Sequence, residues 1–485
     1  MSAVAAEPAA LAPARRRSLA FLAERGMGAS VLVSALSAAF GAILLATTGY
    51  LAALMTDTFP DSGTLVVMVG ILSVIFMIIA MYVGAIVTSN TFATIVAGRT
   101  RRIALMRLIG ASARSQRAEV AGQGLVVGII GALLGVAAGG LLSVAGVLVA
   151  ETLLDVPETD YVVLQPWLAL PALAVALTTW AAAWAGSRRV LAVTPLQALG
   201  GSVERTAERA RGGLGRNTAA LVLLIAGGAL LAVGVVLGLA TPLAILVSFV
   251  GGLLSFTGLV LGATLVMPPV LRLVGRAFGG SAAARLAAEN ALRYPERSSR
   301  MAIGVVVGVT LVTMFAVASE TAKAVMIANS GGAMADDFAA AMDMFAGVMM
   351  GLVAVSAVIA AVGLVNLLTI GVVQRRTELG LLRALGLSNP QVRRMVLLEA
   401  AHITIASLVL GLALGVAYGW AGAQSLLGSV ASAPGAPAGF LVAPAVPWLP
   451  MAIVVAATAV LTLVASVGPT RLATRVAPVE ALAAE

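Results

Sequence analysis

The chain contains no cysteine, one histidine (His402) and one lysine (Lys323) among its 485 residues. Without cysteine there are no disulfides, no thiolate metal sites and no cysteine nucleophile, and a single histidine cannot build a multi-histidine metal centre. Charge is scarce as well. Only 11% of residues are charged, where a soluble domain carries about 25%, and 60% are hydrophobic against roughly 45–50%. A soluble multidomain enzyme is excluded. The solitary lysine excludes more: a phosphate-binding P-loop ends in Gly-Lys-Ser/Thr, and Lys323 follows Ala322. This chain supplies no such loop.

What the sequence does have is long apolar runs. About 20 apolar residues cross roughly 30 Å of hydrocarbon as a helix. Ten such runs occur, at 28–55, 64–97, 120–150, 166–187, 218–239, 243–271, 301–320, 341–373, 396–427 and 447–468. They predict an all-α integral membrane protein with ten transmembrane helices. The first run is far longer than the apolar part of a signal peptide. An even count puts both termini on one side, and Arg15, Arg16, Arg17 and Arg25 place that side in the cytoplasm. All remaining Arg then fall in cytoplasmic segments. The outer segments carry ten acids and Lys323, a charge of −9, while 29 Arg and eleven acids give +18 inside. The net +9 is thus an orientation signal, and nucleic acid is not expected as a partner.

The chain repeats itself. The segment after the second run, RTRRIALMRLIGASARSQRAEV, aligns with RRTELGLLRALGLSNPQVRRMV after the eighth at an offset of 276. Arg99, Arg107, Gly110, Ser112 and Arg117 match Arg375, Arg383, Gly386, Ser388 and Arg393. The same offset pairs Asn90 with Asn366, and Gly135 and Gly139 with Gly411 and Gly415. Nearer the end, TPLQAL (194–199) matches APVEAL (477–482) at an offset of 283. The expected organisation is a cytoplasmic segment (1–25), a four-span unit (26–200), a linker with two extra spans (201–282) and a second four-span unit (283–485). An even number of linking spans keeps the two units parallel.

Between the second and third spans of each unit, the pattern predicts a helix, a tight turn and a helix at the cytoplasmic face. Gly386 is the expected helix stop, Ser388 or Asn389 the N-cap, and Pro390 suits the first turn that follows. Segment 283–300 predicts an interfacial amphipathic helix, with Arg285, Arg293, Arg297 and Arg300 around Leu286 and Leu292. The Gly-x-x-x-Gly pairs suit close helix packing, and Glu399 and His402 read as helix-interface residues. Asn90, Asn366 and Met349 are intramembrane candidates for a substrate path.

The RRTELGLLRALGLSNPQVRRMVLLEA and RLATRVAPVEAL blocks resemble the FtsX/MacB-type permeases of ABC transporters. The resemblance implies two FtsX-like repeats, each with a coupling segment that engages a separate ATPase. Those contacts would comprise Arg99, Arg107, Gly110, Ser112 and Arg117, and Arg375, Glu378, Arg383, Gly386, Ser388 and Arg393. It implies an ABC ATPase partner in two copies holding ATP and Mg, no cofactor on this chain, and a bacterial plasma membrane. Relatives carry a large extracytoplasmic domain after the first span, whereas 56–63 and 321–340 here are short. The fused ten-span form resembles peptide-resistance permeases. Short outer loops favour outward movement of a small amphipathic substrate (a drug, lipid or small peptide). Mechanotransmission to an outer partner is the alternative, and an ion-coupled transporter a weaker one, because few acids lie mid-membrane.

Overall fold

The computed structural model describes residues 27–58, 100–153, 161–188, 214–277, 282–293, 295–330, 386–429 and 439–475, with residue 383 and scattered helical positions between 74 and 92. All regular structure among them is helical. In chain order the helices are α1 (Met27–Thr58), α2 (Thr100–Leu108), α3 (Ala113–Leu153), α4 (Ala169–Gly186), α5 (Leu214–Leu237), α6 (Ala244–Leu261), α7 (Ala263–Gly275), α8 (Ala282–Arg293), α9 (Pro295–Ser330), α10 (Asn389–Leu427) and α11 (Trp448–Arg475). Seven are long and apolar enough to cross a membrane: α1, α3, α4, α5, α6, α9 and α10. This is a multi-pass membrane protein. The expected spans at 64–97 and 341–373 lie outside the described residues, apart from the scattered helical positions. The tenth contributes the shorter apolar stretch Trp448–Leu463.

The repeat reappears in the packing. In the first unit, α3 lays a small-residue stripe on α1: a Cβ added at Gly135 would meet Ala35 and Ala38, and one at Gly139 would meet Ala39 and Ala42. In the second unit, Gly411 of α10 faces Val306 and Val309 of α9, and Gly415 faces Thr310 and Thr313. The stripes differ by 276 positions, and their targets by a constant 271. Glycine at these points lets backbones approach where lipid offers no hydrophobic drive between helices. The fourth spans keep the correspondence. Gly128 packs against Thr179 of α4, and at the matched crossing the hydroxyls of Thr404 and Thr462 hydrogen-bond at 3.0 Å.

The two extra spans form a hairpin, α5 and α6, knitted by close backbone approach at Gly227, Gly251 and Gly258. The apolar run read as one span from 243 to 271 breaks at Gly262, giving α6 and then α7, whose interior holds Pro268 and Pro269. Proline withdraws two backbone donors there. The column nevertheless keeps its register along α10. Ser248 hydrogen-bonds Ser425, Ser255 meets the Tyr418 hydroxyl at 2.9 Å, and His402 Nε2–H donates to the Leu271 carbonyl at 2.8 Å. Seven residues forward on one side match seven back on the other, then sixteen match sixteen. An aromatic column crosses the unit boundary, Tyr82 to Phe256 to Tyr418, with edge-to-face centroids 6.3 and 6.2 Å apart. The Tyr82 hydroxyl lies 2.8 Å from that of Thr257.

Of the amphipathic helix expected at 283–300, α8 covers only the part to Arg293, and Arg297 and Arg300 belong to α9; the buried face of α8 is Ala287 and Ala291, while Leu286 is exposed. Small residues win this face because α8 lies close against α10. Asn290 Nδ2–H donates to Glu399 Oε2 at 2.7 Å, and Glu399 and His402 are both buried. The two polar side chains of α10 thus seat α7 and α8.

At the far end of α10, the non-helical segment 439–447 is strapped across the second unit. The buried Gln424 accepts from the Val442 amide at 2.6 Å and donates to the Phe440 carbonyl at 3.0 Å, as a neighbouring strand would. Trp420 Nε1–H donates to the Val442 carbonyl, and Thr321 Oγ1 accepts from the Ala445 amide.

Candidate functional site

Each repeat carries the expected helix–turn–helix element. After α2, the Ala111 amide donates to the Met106 carbonyl at 2.9 Å and the Gly110 amide to the Arg107 carbonyl at 3.2 Å. That bond pair is a Schellman stop, with glycine in the left-handed position at a φ of 103°. In the second repeat the Gly386 amide donates to the Arg383 carbonyl at 3.0 Å, and Gly386 has a φ of 104°. Two residues 276 apart therefore adopt the same conformation, one that a side chain would strain. Arg107 and Arg383 occupy the same place in the last helical turn, where a cation suits the helix dipole.

Serine starts the next helix in both copies. Ser112 Oγ accepts from the Ser115 amide at 3.1 Å. Ser388 is extended (φ −71°, ψ 155°), and Gln391 Oε1 accepts from its amide at 2.9 Å, part of a capping box with Pro390 in the first turn. Of the two N-cap candidates, the structure selects Ser388. The following helices do not lie separately at the membrane face, as the sequence suggested. α3 runs for 41 residues and α10 for 39, so each turn opens directly into a membrane span. No breaker interrupts either helix between the cap and the apolar run, so a displacement of the tip acts on the whole helix.

The sequence reading of this element singled out Arg, Gly and Ser. It missed the apolar side chains of the first tip: Leu105, Met106, Leu108 and Ile109 are exposed, Ile109 by 80%. The second copy carries Leu381, Leu382, Ala384 and Leu385 at the aligned positions. An apolar tip ringed by Arg107 and Arg114 is suited to a protein partner with an acidic rim.

Arg117, grouped with the tip on sequence grounds, turns inward. Its guanidinium stacks on Trp184 with Cζ 3.9 Å from the ring centroid, and Nη2–H donates to the Trp184 carbonyl at 3.1 Å. Ser187 closes the same helix end, donating to that carbonyl at 2.8 Å. Arg117 thus caps α4 and ties the fourth span to the start of the third. Nothing local signals this, because the partner lies 67 positions away. The matched Arg393 is exposed, and Val467 stands where the later offset would place the tryptophan. Arg117→Ala is expected to lower stability by about 1 kcal/mol, seen as a lower unfolding temperature in detergent, while Arg393→Ala leaves it unchanged. Equal effects would show the two arginines to be equivalent.

Arg99, Arg375, Glu378, Asn90, Asn366 and Met349 lie outside the described residues. The structure therefore brings together Arg107, Gly110 and Ser112 at one turn, and Arg383, Gly386, Ser388 and the exposed Arg393 around the other.

Known proteins match the two repeats in sequence. The family described as "FtsX-like permease C-terminal" matches residues 74–195 and 350–478, one region for each repeat. A 66-residue stretch is 38% identical to "ABC transporter permease YtrF" of Bacillus subtilis (strain 168), covering 13% of this chain. That match spans 15% of the relative's length.

Proposed function

Because the chain belongs to the FtsX-like permease family, whose two matched regions together exceed half its length, we propose that it is the membrane-spanning subunit of an ABC transporter. In this reading a separate ATPase, in two copies, binds the two tips and supplies ATP and Mg. Its motion passes into α3 and α10 and moves a small amphipathic substrate outward across a bacterial plasma membrane. The observation that carries the proposal is the pair of matched left-handed glycine stops at Gly110 and Gly386, each followed by a helix that runs without interruption into a span. Two equivalent lever arms suit a dimeric motor. This sequence carries no P-loop lysine, which supports a separate motor polypeptide, and in this reading both tips face the cytoplasm, with the termini.

The lack of cysteine makes the test clean. A single cysteine at Ile109 should react with an impermeant maleimide only after cell lysis, and a bifunctional reagent should join it to a chain carrying Walker motifs. A cysteine at Leu441, exposed on the strap, should react in intact cells. Labelling of Ile109→Cys from outside would overturn the orientation, and cross-linking to no ATPase would overturn the docking assignment.

A further inference from the structure

The fourth span of the first unit turns one continuous side outward. Along α4, Pro171, Val175, Thr179, Ala183 and Gly186 are buried, and the first four pack toward α1 or α3. Opposite them Leu170, Leu173, Leu177, Trp180 and Trp184 are exposed at intervals of three and four residues, a single stripe along the helix. Every member is aliphatic or aromatic, and the whole stripe lies within the membrane-crossing stretch Pro166–Gly186. Its ends fix its depth. Trp167, exposed just before α4, and Trp184 are 17 positions apart, about 25 Å along a helix axis. Tryptophan concentrates at the two membrane–water interfaces, and this separation fits a hydrocarbon layer of roughly 30 Å. Trp184 therefore marks the interface on the side of the Gly110 turn, and Leu170 to Trp180 lie in hydrocarbon.

At that interface two cations gather on one ring. Arg117 Cζ lies 3.9 Å and Arg188 Cζ 5.8 Å from the Trp184 ring centroid, which places the two guanidinium groups within about 10 Å of each other. Arg117 directs Nε–H and Nη2–H at the end of α4. A guanidinium carries five N–H donors, so three remain. Arg188 is exposed one turn past Trp184, roughly 6 Å further along the axis and at headgroup depth. Glu119, the next acid along α3, stands two positions past Arg117 and so roughly 200° round that helix. The second unit has no counterpart: Arg393 is exposed at the position matching Arg117, but Val467 takes the place of the tryptophan.

We propose that Arg117 and Arg188, gathered at Trp184, hold the phosphate of an anionic phospholipid in the leaflet on the side of the Gly110 turn. Its acyl chains lie along Trp180, Leu177 and Leu173, which descend from the ring over about 16 Å, a depth one leaflet supplies. Cations and hydrocarbon stripe adjoin at a single side chain, so one molecule meets both at once. Two guanidinium groups at one headgroup favour a lipid of net negative charge over a zwitterionic one. The inference stands on the membrane-spanning fold alone and does not depend on the ATPase assignment.

The test uses the purified full chain in nanodiscs of phosphatidylcholine with a minor fraction of phosphatidylglycerol, followed by native mass spectrometry of retained lipid. The wild type should retain phosphatidylglycerol in preference to phosphatidylcholine. Arg188→Gln should reduce that preference by about fivefold at an unchanged unfolding temperature, measured in the same discs. Arg188→Lys, which keeps the charge, should preserve more of it than Arg188→Gln. The charge-matched control at the corresponding place of the second unit, Arg393→Gln, should leave the preference at its wild-type value. Soluble glycerol phosphate should not displace the lipid, because it has no chains to set against Leu177 and Leu173. Undiminished preference in Arg188→Gln, an equal loss in Arg393→Gln, or displacement by glycerol phosphate would each overturn the proposal. So would a preference that falls only in step with the unfolding temperature.

Discussion

Gly135→Ala should cost more than about 2 kcal/mol and strip much of the folded protein from the membrane, although it adds one methyl group to a helix. The new Cβ would collide with the Ala35 carbonyl oxygen and lie 2.7 Å from Ala38 Cβ. Backbone cannot swing aside as a flexible side chain can, so α1 must move away from α3 along the whole crossing. Overpacking of a fitted contact costs about 1–3 kcal/mol, and a collision with main chain belongs at or above the top of that range. Gly415→Ala should behave alike, since its Cβ would press on Thr313 Cβ. Gly422→Ala and Gly146→Ala provide the contrast. Nothing lies within 4 Å of either added methyl, and alanine is the better helix former by about 1 kcal/mol. Thermal unfolding in detergent should therefore move in opposite directions for the two pairs. A neutral Gly135→Ala would show that the α1–α3 crossing is looser than this structure.

These glycines illustrate what a sequence reveals about such a fold. The stripe on α3 and α10 was legible because both copies spell it, and a four-residue glycine period has a direct packing meaning. Its target was not legible: Ala35, Ala38, Ala39 and Ala42 become Val306, Val309, Thr310 and Thr313, with no identity preserved. The register survives where the residues do not. Similarly, hydropathy found the sixth run but carried it to 271, past the end of α6 at Leu261, because it could not show the break at Gly262. An apolar average is blind to a helix that stops and resumes in register.

The tips divide in the same way. Gly110 and Gly386 announced themselves because a left-handed helix stop has few chemical solutions, and Ser112 and Ser388 because capping is local. Arg117 sits among the tip residues in sequence, yet its partner Trp184 reaches it only once α4 has packed on α3. The exposed Ile109 was passed over for a plainer reason. In a chain with 60% hydrophobic residues, one more apolar side chain carries no signal until its exposure outside the apolar run is seen.

If the tips are docking surfaces, Arg107→Glu combined with Arg383→Glu should abolish stimulation of the partner ATPase by the reconstituted membrane subunit, a loss of at least about a hundredfold. Each substitution replaces a cation with an anion beside an apolar contact, and like-charge juxtaposition at an interface costs several kcal/mol. At about 1.4 kcal/mol per factor of ten, two such penalties exceed the threshold comfortably. The backbone bonds of the two turns use the carbonyls of Arg107 and Arg383, which the substitutions leave in place, and a carboxylate in the last turn of a helix is disfavoured by about 0.3–1 kcal/mol. Unfolding temperature measured for each variant separates lost coupling from loss of the interactions the two side chains already make. The single substitutions discriminate further. Two equivalent tips predict similar partial losses from Arg107→Glu and Arg383→Glu, because each removes one of two contacts. A full loss from one and none from the other would mean that a single repeat carries the motor contact, leaving the conserved geometry of the second turn to membrane packing alone. Unchanged ATPase activity in the double variant would remove the docking assignment altogether.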